Sequence, residues 1–208
     1  MPQNHPIGLI MATMLEAKPF VAALGLKETD TKPFRIFGNG RISLVLCGIG
    51  KANAAIACTY FIRTCNPASL CNLGAAGAVD ERLSLGECLQ VDKVIEPDRP
   101  DLETGNPSEH IPQIMDGFRC ATLATQDKPV IDMAERKKIA RLAQLVDMEG
   151  AAASQACRRF EKPCYLFKFV SDTPAHGQSS DIRMNISLYR DAFCEFFRKH
   201  VLPGLMRS

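Results

Sequence analysis

The chain has 208 residues, a length that suits one domain with a sizeable hydrophobic core. Apolar residues make up 46%, charged residues 23%, and the formal net charge is +2, which together exclude a disordered or strongly basic protein. The short basic runs at 136–138 and 158–159 are interpreted as solvated helix faces, and no Lys/Arg cluster is interleaved with aromatic residues. Nucleic acid is therefore not the indicated partner.

Cysteine and histidine usage points away from disulfides and metals. The nine cysteines contain no CxxC pair, and several lie in apolar runs, as Cys47 and Cys71 do. Buried free thiols favour a cytoplasmic protein over a disulfide scaffold. The four histidines have no ligand spacing to one another or to cysteine pairs, so a zinc site is disfavoured. Neither a signal peptide nor an apolar run of the roughly 20 residues that span a bilayer is recognised, so no membrane contact is expected.

In chain order, the first half of the sequence alternates apolar strand patterns with helical ones. Its turns are marked by glycine, and the tiny side chains of 74–78 are interpreted as a loop whose backbone can approach a ligand. The predicted elements are a strand at 7–10, a helix at 15–24, a hairpin of strands 34–37 and 42–47, a helix at 51–65 after the Gly48-Ile49-Gly50 turn, and a strand at 69–73.

The second half repeats the alternation after a proline-rich excursion. The predicted elements are a strand at 88–95, the loop-rich excursion at 96–117, strands at 119–125, 144–148 and 165–170, helices at 132–142, 149–160 and 188–202, and a polar segment at 174–181 whose His176 is interpreted as a solvated loop residue. Alternating strands and helices with one early hairpin predict an α/β fold. We expect a single domain over 1–208, with three α/β/α layers around a central, mixed, twisted sheet.

Three acidic residues follow predicted strands: Glu16, Glu149 and Asp172. Ligands of open α/β sheets usually bind in the crevice at strand ends, so we expect these acids to converge on one cleft. Three acids in one cleft favour proton-transfer chemistry over packing. Each acid alone also has a plain structural interpretation: Glu149 as a first-turn helix acid, Asp172 as a cap or turn residue before Pro174, and Glu16 as a solvated helix residue.

The glycine-rich segment at 48–51 is not a known nucleotide-binding loop. Val45 stands where a P-loop needs its first glycine, and Ala52 where Ser or Thr would hold magnesium. Asn53 occupies the third small position of the dinucleotide fingerprint. No GxSxG or HExxH motif occurs, so a serine hydrolase and a zinc peptidase are not indicated.

Five motifs occur in the order "MATMLEA", "GIGKANAA", "NLGAAGAV", "VDMEGAA" and "FVSDT". Together they resemble the nucleoside phosphorylase and nucleosidase superfamily, and most closely its methylthioadenosine/S-adenosylhomocysteine nucleosidase and futalosine hydrolase branch. The resemblance covers roughly residues 7–175. It implies a small-molecule nucleoside substrate, no metal or organic cofactor, and a homo-oligomer, with a dimer favoured.

The resemblance also implies roles for individual residues. Asp172 would protonate N7 of the purine as the glycosidic bond breaks, and Glu16 would be the base that activates water. Glu149 would accept hydrogen bonds from the ribose 2′- and 3′-hydroxyls, and Met148 would pack its thioether against the sugar. The other substrate contacts that it implies are Ser171 beside the acid, Ala75 and Gly77 near the anomeric centre, and Pro129 and Val130 at the base.

This chemistry requires two carboxyl groups in different protonation states. A purine leaves poorly unless its ring nitrogen is protonated, and nearby carboxylates stabilise an oxocarbenium-like sugar. We therefore expect Asp172 to be desolvated and to share a proton, and Glu16 to stay ionised and more hydrated.

Water is predicted as the nucleophile rather than phosphate. A phosphorylase must hold a dianion with arginines and hydroxyl donors, whereas 74–77 offers only backbone N–H groups and Glu16 would repel phosphate. The predicted reaction is hydrolysis of the N-glycosidic bond of a purine nucleoside or a 5′-modified purine nucleoside. Two alternatives stay open: phosphorolysis by the same fold, and a catalytically silent nucleoside-binding protein.

Overall fold

A computed structural model describes residues 5–175 and 179–207, so the predicted loop residue His176 lies outside the described part of the chain. The strands are β1 (Ile7–Met11), β2 (Lys27–Asp30), β3 (Ile36–Gly38), β4 (Ile42–Leu46), β5 (Ser69–Ala78), β6 (Cys88–Pro100), β7 (Pro107–His110), β8 (Cys120–Thr125), β9 (Leu145–Asp147) and β10 (Cys164–Asp172). The helices are α1 (Met14–Ala23), α2 (Lys51–Cys65), α3 (Met133–Ile139), α4 (Gly150–Arg159), α5 (Ser179–Phe196) and α6 (Leu202–Leu205), with a π-helical turn (Phe197–Val201) between the last two.

The strands form one sheet. Within it, β5, β10, β6, β8 and β9 pair in a closed ring. β5 is parallel to β1 and β10, and its last two residues pair antiparallel with β9. From β10 the order runs through β6, β8 and β9 back to β5, while β1, β4, β3 and β2 extend outwards. Parallel and antiparallel pairs both occur, which confirms the predicted mixed sheet.

Helices cover both faces of this sheet. Side chains alternate along a strand, so in β1 Ile10 packs into one core cluster while Leu9 and Met11 pack into the other. α2 and α4 bury their apolar residues in the first cluster, and α1 and α5 bury Phe20 and Phe193 in the second. The predicted layering of helices on both faces of a mixed sheet is confirmed. Over the described residues, no helix combines the length and the apolar character needed to cross a bilayer.

The main differences from the predicted elements concern residues with weak sequence signals. β5 continues through 74–78, which the sequence predicted as a loop, because pairing with β10 and β9 satisfies its backbone. The exposed, polar β2 was not predicted, and β7 lies inside the excursion predicted to be loop-rich. The last long helix begins at 179 rather than 188.

Candidate active site

Two adjoining hollows lie where β1, β5, β9 and β10 end. The first, of about 470 Å³, is lined by Glu16, Glu149, Ala75 and Ser171 among others. The second, of about 370 Å³, is lined by Asp172 and the segment 128–131. The same residues line part of both hollows: Gly77, Val146, Asp147, Met148, Ile182 and Arg183. The structure therefore brings together every predicted site residue, including Pro129 and Val130 in the second hollow and Met148 in both.

Glu16 is held between the start of α1 and the middle of β5. It is the third residue of the helix and forms a reciprocal capping box with Thr13, whose backbone N and Oγ1 donate to Oε2 at 3.1 and 2.7 Å. Its other oxygen, Oε1, accepts a hydrogen bond from the backbone N of Ala75 at 3.0 Å. A side chain at Gly74 would place its Cβ 2.8 Å from Oε1, so only glycine leaves room for this carboxylate.

Glu149 stands at the N-cap of α4 and reaches the glycine turn before α2. Its Oε1 accepts a hydrogen bond from the backbone N of Gly50 at 2.8 Å. Gly50 has φ +98°, a conformation that favours glycine. Burial, followed by the negative charge of Asp147, raises the pKa of Glu149 to about 7. Near neutral pH this carboxyl group is therefore present in both its protonated and its ionised form.

A buried ion pair that was not predicted from the sequence lies next to Glu149. Lys168 Nζ is 2.8 Å from Asp147 Oδ2, and Asp147 also accepts hydrogen bonds from Thr125 Oγ1 at 2.6 Å and from the backbone N of Gly150 at 2.9 Å. Burial alone lowers the pKa of Lys168, but the charges of Asp147 and Glu149 outweigh it and leave that pKa raised. The sequence feature that could have indicated this pair is the lysine inside the apolar run 165–170.

Asp172, at the end of β10, has a charged partner. Its Oδ2 forms an ion pair with Nη2 of Arg136, and Ser171 Oγ donates to its Oδ1 at 2.7 Å. The carboxylate is close against β5, since a Cβ at Gly77 would lie 2.7 Å from Oδ2. Asp172 and Glu16 are almost equally buried, at 4% and 6% exposure, so the expected difference in hydration between them is wrong.

Arg136 was predicted to lie on a solvated helix face, and that prediction is wrong. Its side chain is 2% exposed, while Lys137 and Lys138 beside it are exposed. α3 is amphipathic, and Arg136 shares its buried face with Ile139, three residues on. The spacing to Ile139 was the one sequence signal that could have identified it.

The arrangement permits acid–base chemistry from two sides of one site. Glu16 lines the first hollow, Asp172 lines the second, and Gly77 and Met148 line both. Among residues 5–175 and 179–207, no group of three or more His, Cys, Asp or Glu side chains could hold a metal ion.

Comparison with known proteins gives the family. The family model of the phosphorylase superfamily matches residues 6–199 of this chain. The chain belongs to the phosphorylase superfamily. A curated relative, the 5′-methylthioadenosine/S-adenosylhomocysteine nucleosidase of Staphylococcus haemolyticus, is 30% identical over 206 residues, which cover 83% of this chain and 88% of that protein.

Solved structures with a similar fold include a plant protein and a bacterial protein. The 5′-methylthioadenosine nucleosidase of Arabidopsis thaliana superposes with a TM-score of 0.86 at 20% identity, covering 98% of this chain and 96% of that one. The futalosine hydrolase of Helicobacter pylori superposes with a TM-score of 0.83 at 17% identity, covering 94% and 96%. These likenesses show that this chain shares the fold of both proteins.

Proposed function

We propose that this protein hydrolyses the N-glycosidic bond of a 5′-modified purine nucleoside and releases the free base. The observation that carries the proposal is the convergence of Glu16, Glu149 and Asp172 on two adjoining hollows. The nucleosidase and futalosine hydrolase relatives support the same reaction class. A binding protein needs no pair of carboxyl groups on the two sides of a scissile bond, which disfavours the catalytically silent alternative.

Within this proposal Asp172 protonates the departing base and Glu16 activates the attacking water. The carboxyl group of Glu149 accepts hydrogen bonds from the ribose hydroxyls, and Met148 packs against the sugar. The remaining residues complete the substrate contacts: Ala75 and Gly77 beside the anomeric carbon, Ser171 beside Asp172, and Pro129 and Val130 along the base.

The charges of the first hollow favour water over phosphate as the nucleophile. Glu16, Asp147 and Glu149 line it, and among the lining residues that the structure describes Arg183 is the only cationic side chain. A phosphate dianion requires several cationic or hydroxyl donors around it, and carboxylates there would repel it. Phosphorolysis therefore remains the second candidate.

The proposal is tested with a substrate panel. Adenosine, inosine, methylthioadenosine, homocysteinyl-adenosine and futalosine are each incubated with the protein, with and without inorganic phosphate, and the products are separated chromatographically. We expect base release that does not depend on phosphate and is fastest for a 5′-modified nucleoside. Strict phosphate dependence with a sugar 1-phosphate product would replace hydrolysis by phosphorolysis, and tight binding without base release would favour the silent binder.

We further propose a single domain over 1–208, a homodimer and a cytoplasmic location. Exposed apolar side chains support the dimer: Ile56 on α2, and Leu102, Ile111 and Ile114 in the excursion at 96–117. Nine unpaired cysteines support a reducing compartment. Sedimentation equilibrium of the wild type and of Ile56→Asp tests the dimer. We expect a dimer that weakens in the variant, whereas a monomeric wild type contradicts the proposal.

A further inference from the structure

The contacts of Asp172 restrict which of its oxygens can carry a proton. Oδ2 faces the guanidinium of Arg136, which has only N–H donors and can accept no hydrogen bond. A proton on Oδ2 would therefore meet another donor. Oδ1 faces Ser171 Oγ at 2.7 Å, and a hydroxyl group can donate or accept. Ser171 Oγ also lies 3.3 Å from the carbonyl oxygen of Ala76, which can take its proton when Oδ1 is protonated.

Arg136 itself is anchored independently of Asp172. Its Nη1 donates to the carbonyl oxygen of Ala78 at 2.8 Å, at the end of β5. α3, which carries Arg136, follows directly on the segment with Pro129 and Val130 that lines the same hollow as Asp172. The guanidinium thus connects the acid to the end of β5, and the helix that carries it continues from the segment assigned to the base.

Stability alone does not account for this side chain. Arg136 Nε is buried and has no hydrogen-bond partner. A buried ion pair is often no more stabilising than well-packed apolar residues, and an unmatched donor adds a further cost. Besides Asp172, the charged side chains that line this hollow are Asp147, Lys128 and Arg183. Asp147 is paired with Lys168, and Lys128 Nζ is 3.4 Å from Glu135.

We propose that Arg136 is a positioning residue for the leaving-group acid: it holds Oδ2 of Asp172, so that Oδ1 delivers the proton, and it offsets the negative charge that remains afterwards. This inference rests on the proposed function. As the C1′–N9 bond breaks, its electron pair goes to the purine and the proton on Oδ1 moves to N7, so the base leaves neutral. Water adds to C1′ and gives a proton to Glu16. Asp172 is left as a carboxylate beside a guanidinium, an arrangement that stabilises the charge developing in the transition state.

The test compares Arg136→Met and Arg136→Lys with a matched control, Arg141→Met, which removes an exposed arginine five residues further on. Each variant is assayed on the best purine nucleoside of the panel and on 4-nitrophenyl β-D-ribofuranoside, whose phenolate leaves without protonation. For Arg136→Met we expect kcat on the purine nucleoside to fall about 100-fold with KM within about threefold, and turnover of the nitrophenyl riboside to stay near wild type. Arg136→Lys should recover part of the lost turnover. The control Arg141→Met should keep wild-type turnover on both substrates.

Equal losses on both substrates, or wild-type turnover of the purine nucleoside by Arg136→Met, would overturn the proposal. A second measurement does not need activity: urea unfolding of Arg136→Met, Asp172→Asn and the double variant. We expect the two losses in unfolding free energy to be non-additive, because each single variant already breaks the pair, and additive losses contradict the contact. A wild type that releases no base refutes the proposed function instead, and the unfolding measurements then still decide the contact.

Discussion

Glu149 is a residue whose charge depends strongly on its surroundings. It is buried beside Asp147, and only the charge of Lys168 and the N–H of Gly50 favour its ionised form. Because its pKa is raised from 4.5 to about 7, the native state binds a proton more tightly than the unfolded chain does. The contribution of Glu149 to stability is therefore fully present below about pH 4.5 and is lost as the pH rises to about 7.

Glu149→Gln should remove this part of the pH dependence. At 1.36 kcal/mol per pKa unit, ionisation of Glu149 costs on the order of 3 kcal/mol above pH 7. Urea unfolding at pH 5 and pH 7.5 should show the variant gaining stability relative to wild type at the higher pH. The comparison between the two proteins cancels the contributions of other groups. A stability difference that is the same at both pH values would show that Glu149 titrates normally.

Two glycines of β5, Gly74 and Gly77, leave room for the carboxylates of Glu16 and Asp172. Gly74→Ala would bring a Cβ to 2.8 Å from Glu16 Oε1 and displace it from the Ala75 N–H. We expect kcat to fall about 10-fold or more, with a smaller change in substrate affinity, because the proposed base is moved rather than removed. Gly38→Ala, whose nearest contact would be an ordinary 3.4 Å, is the matched control. Equal kcat values for the two variants would contradict the placement of Glu16.

At the scale of elements, the Lys168–Asp147 pair connects β10 to β9, which are not neighbours in the sheet. Lys168→Met leaves Asp147 buried without its counter-charge, and we expect a loss of about 3–5 kcal/mol in unfolding free energy. The double variant Lys168→Met/Asp147→Asn removes both charges and should lose less than Lys168→Met alone. Chemical denaturation measures both. A double variant that is less stable than Lys168→Met would show that the pair itself is not the cause.

Elements with a strong pattern were predictable, and those governed by tertiary pairing were not. The turn at 48–50 and the helix that follows it have clear local signals, and both lie where the sequence places them. β5 extends through 74–78 only because β10 and β9 pair with it, which no local pattern reveals. The polar sequence of β2 likewise becomes a strand through pairing with β3.

At the scale of the whole molecule, some residues of the site could be predicted from the sequence, and others are determined by tertiary contacts. Glu16, Glu149 and Asp172 could be placed together because strand ends meet at one edge of a sheet. Arg136 and Lys168 could not, because their contacts depend on how α3 and β10 pack against distant residues. The sequence thus predicted Glu16, Glu149 and Asp172, but not Asp147 beside them, nor the cations Lys168 and Arg136 that pair with Asp147 and Asp172.

Base release in phosphate-free buffer tests the central claim most directly. The rate is measured for wild type, Glu16→Gln and Asp172→Asn on the best nucleoside of the panel. We predict that wild type releases the base without phosphate and that each variant is slower by about 100-fold or more, since each removes a proton-transfer group. Variants within a few-fold of wild type, or release only after phosphate is added, would contradict the account.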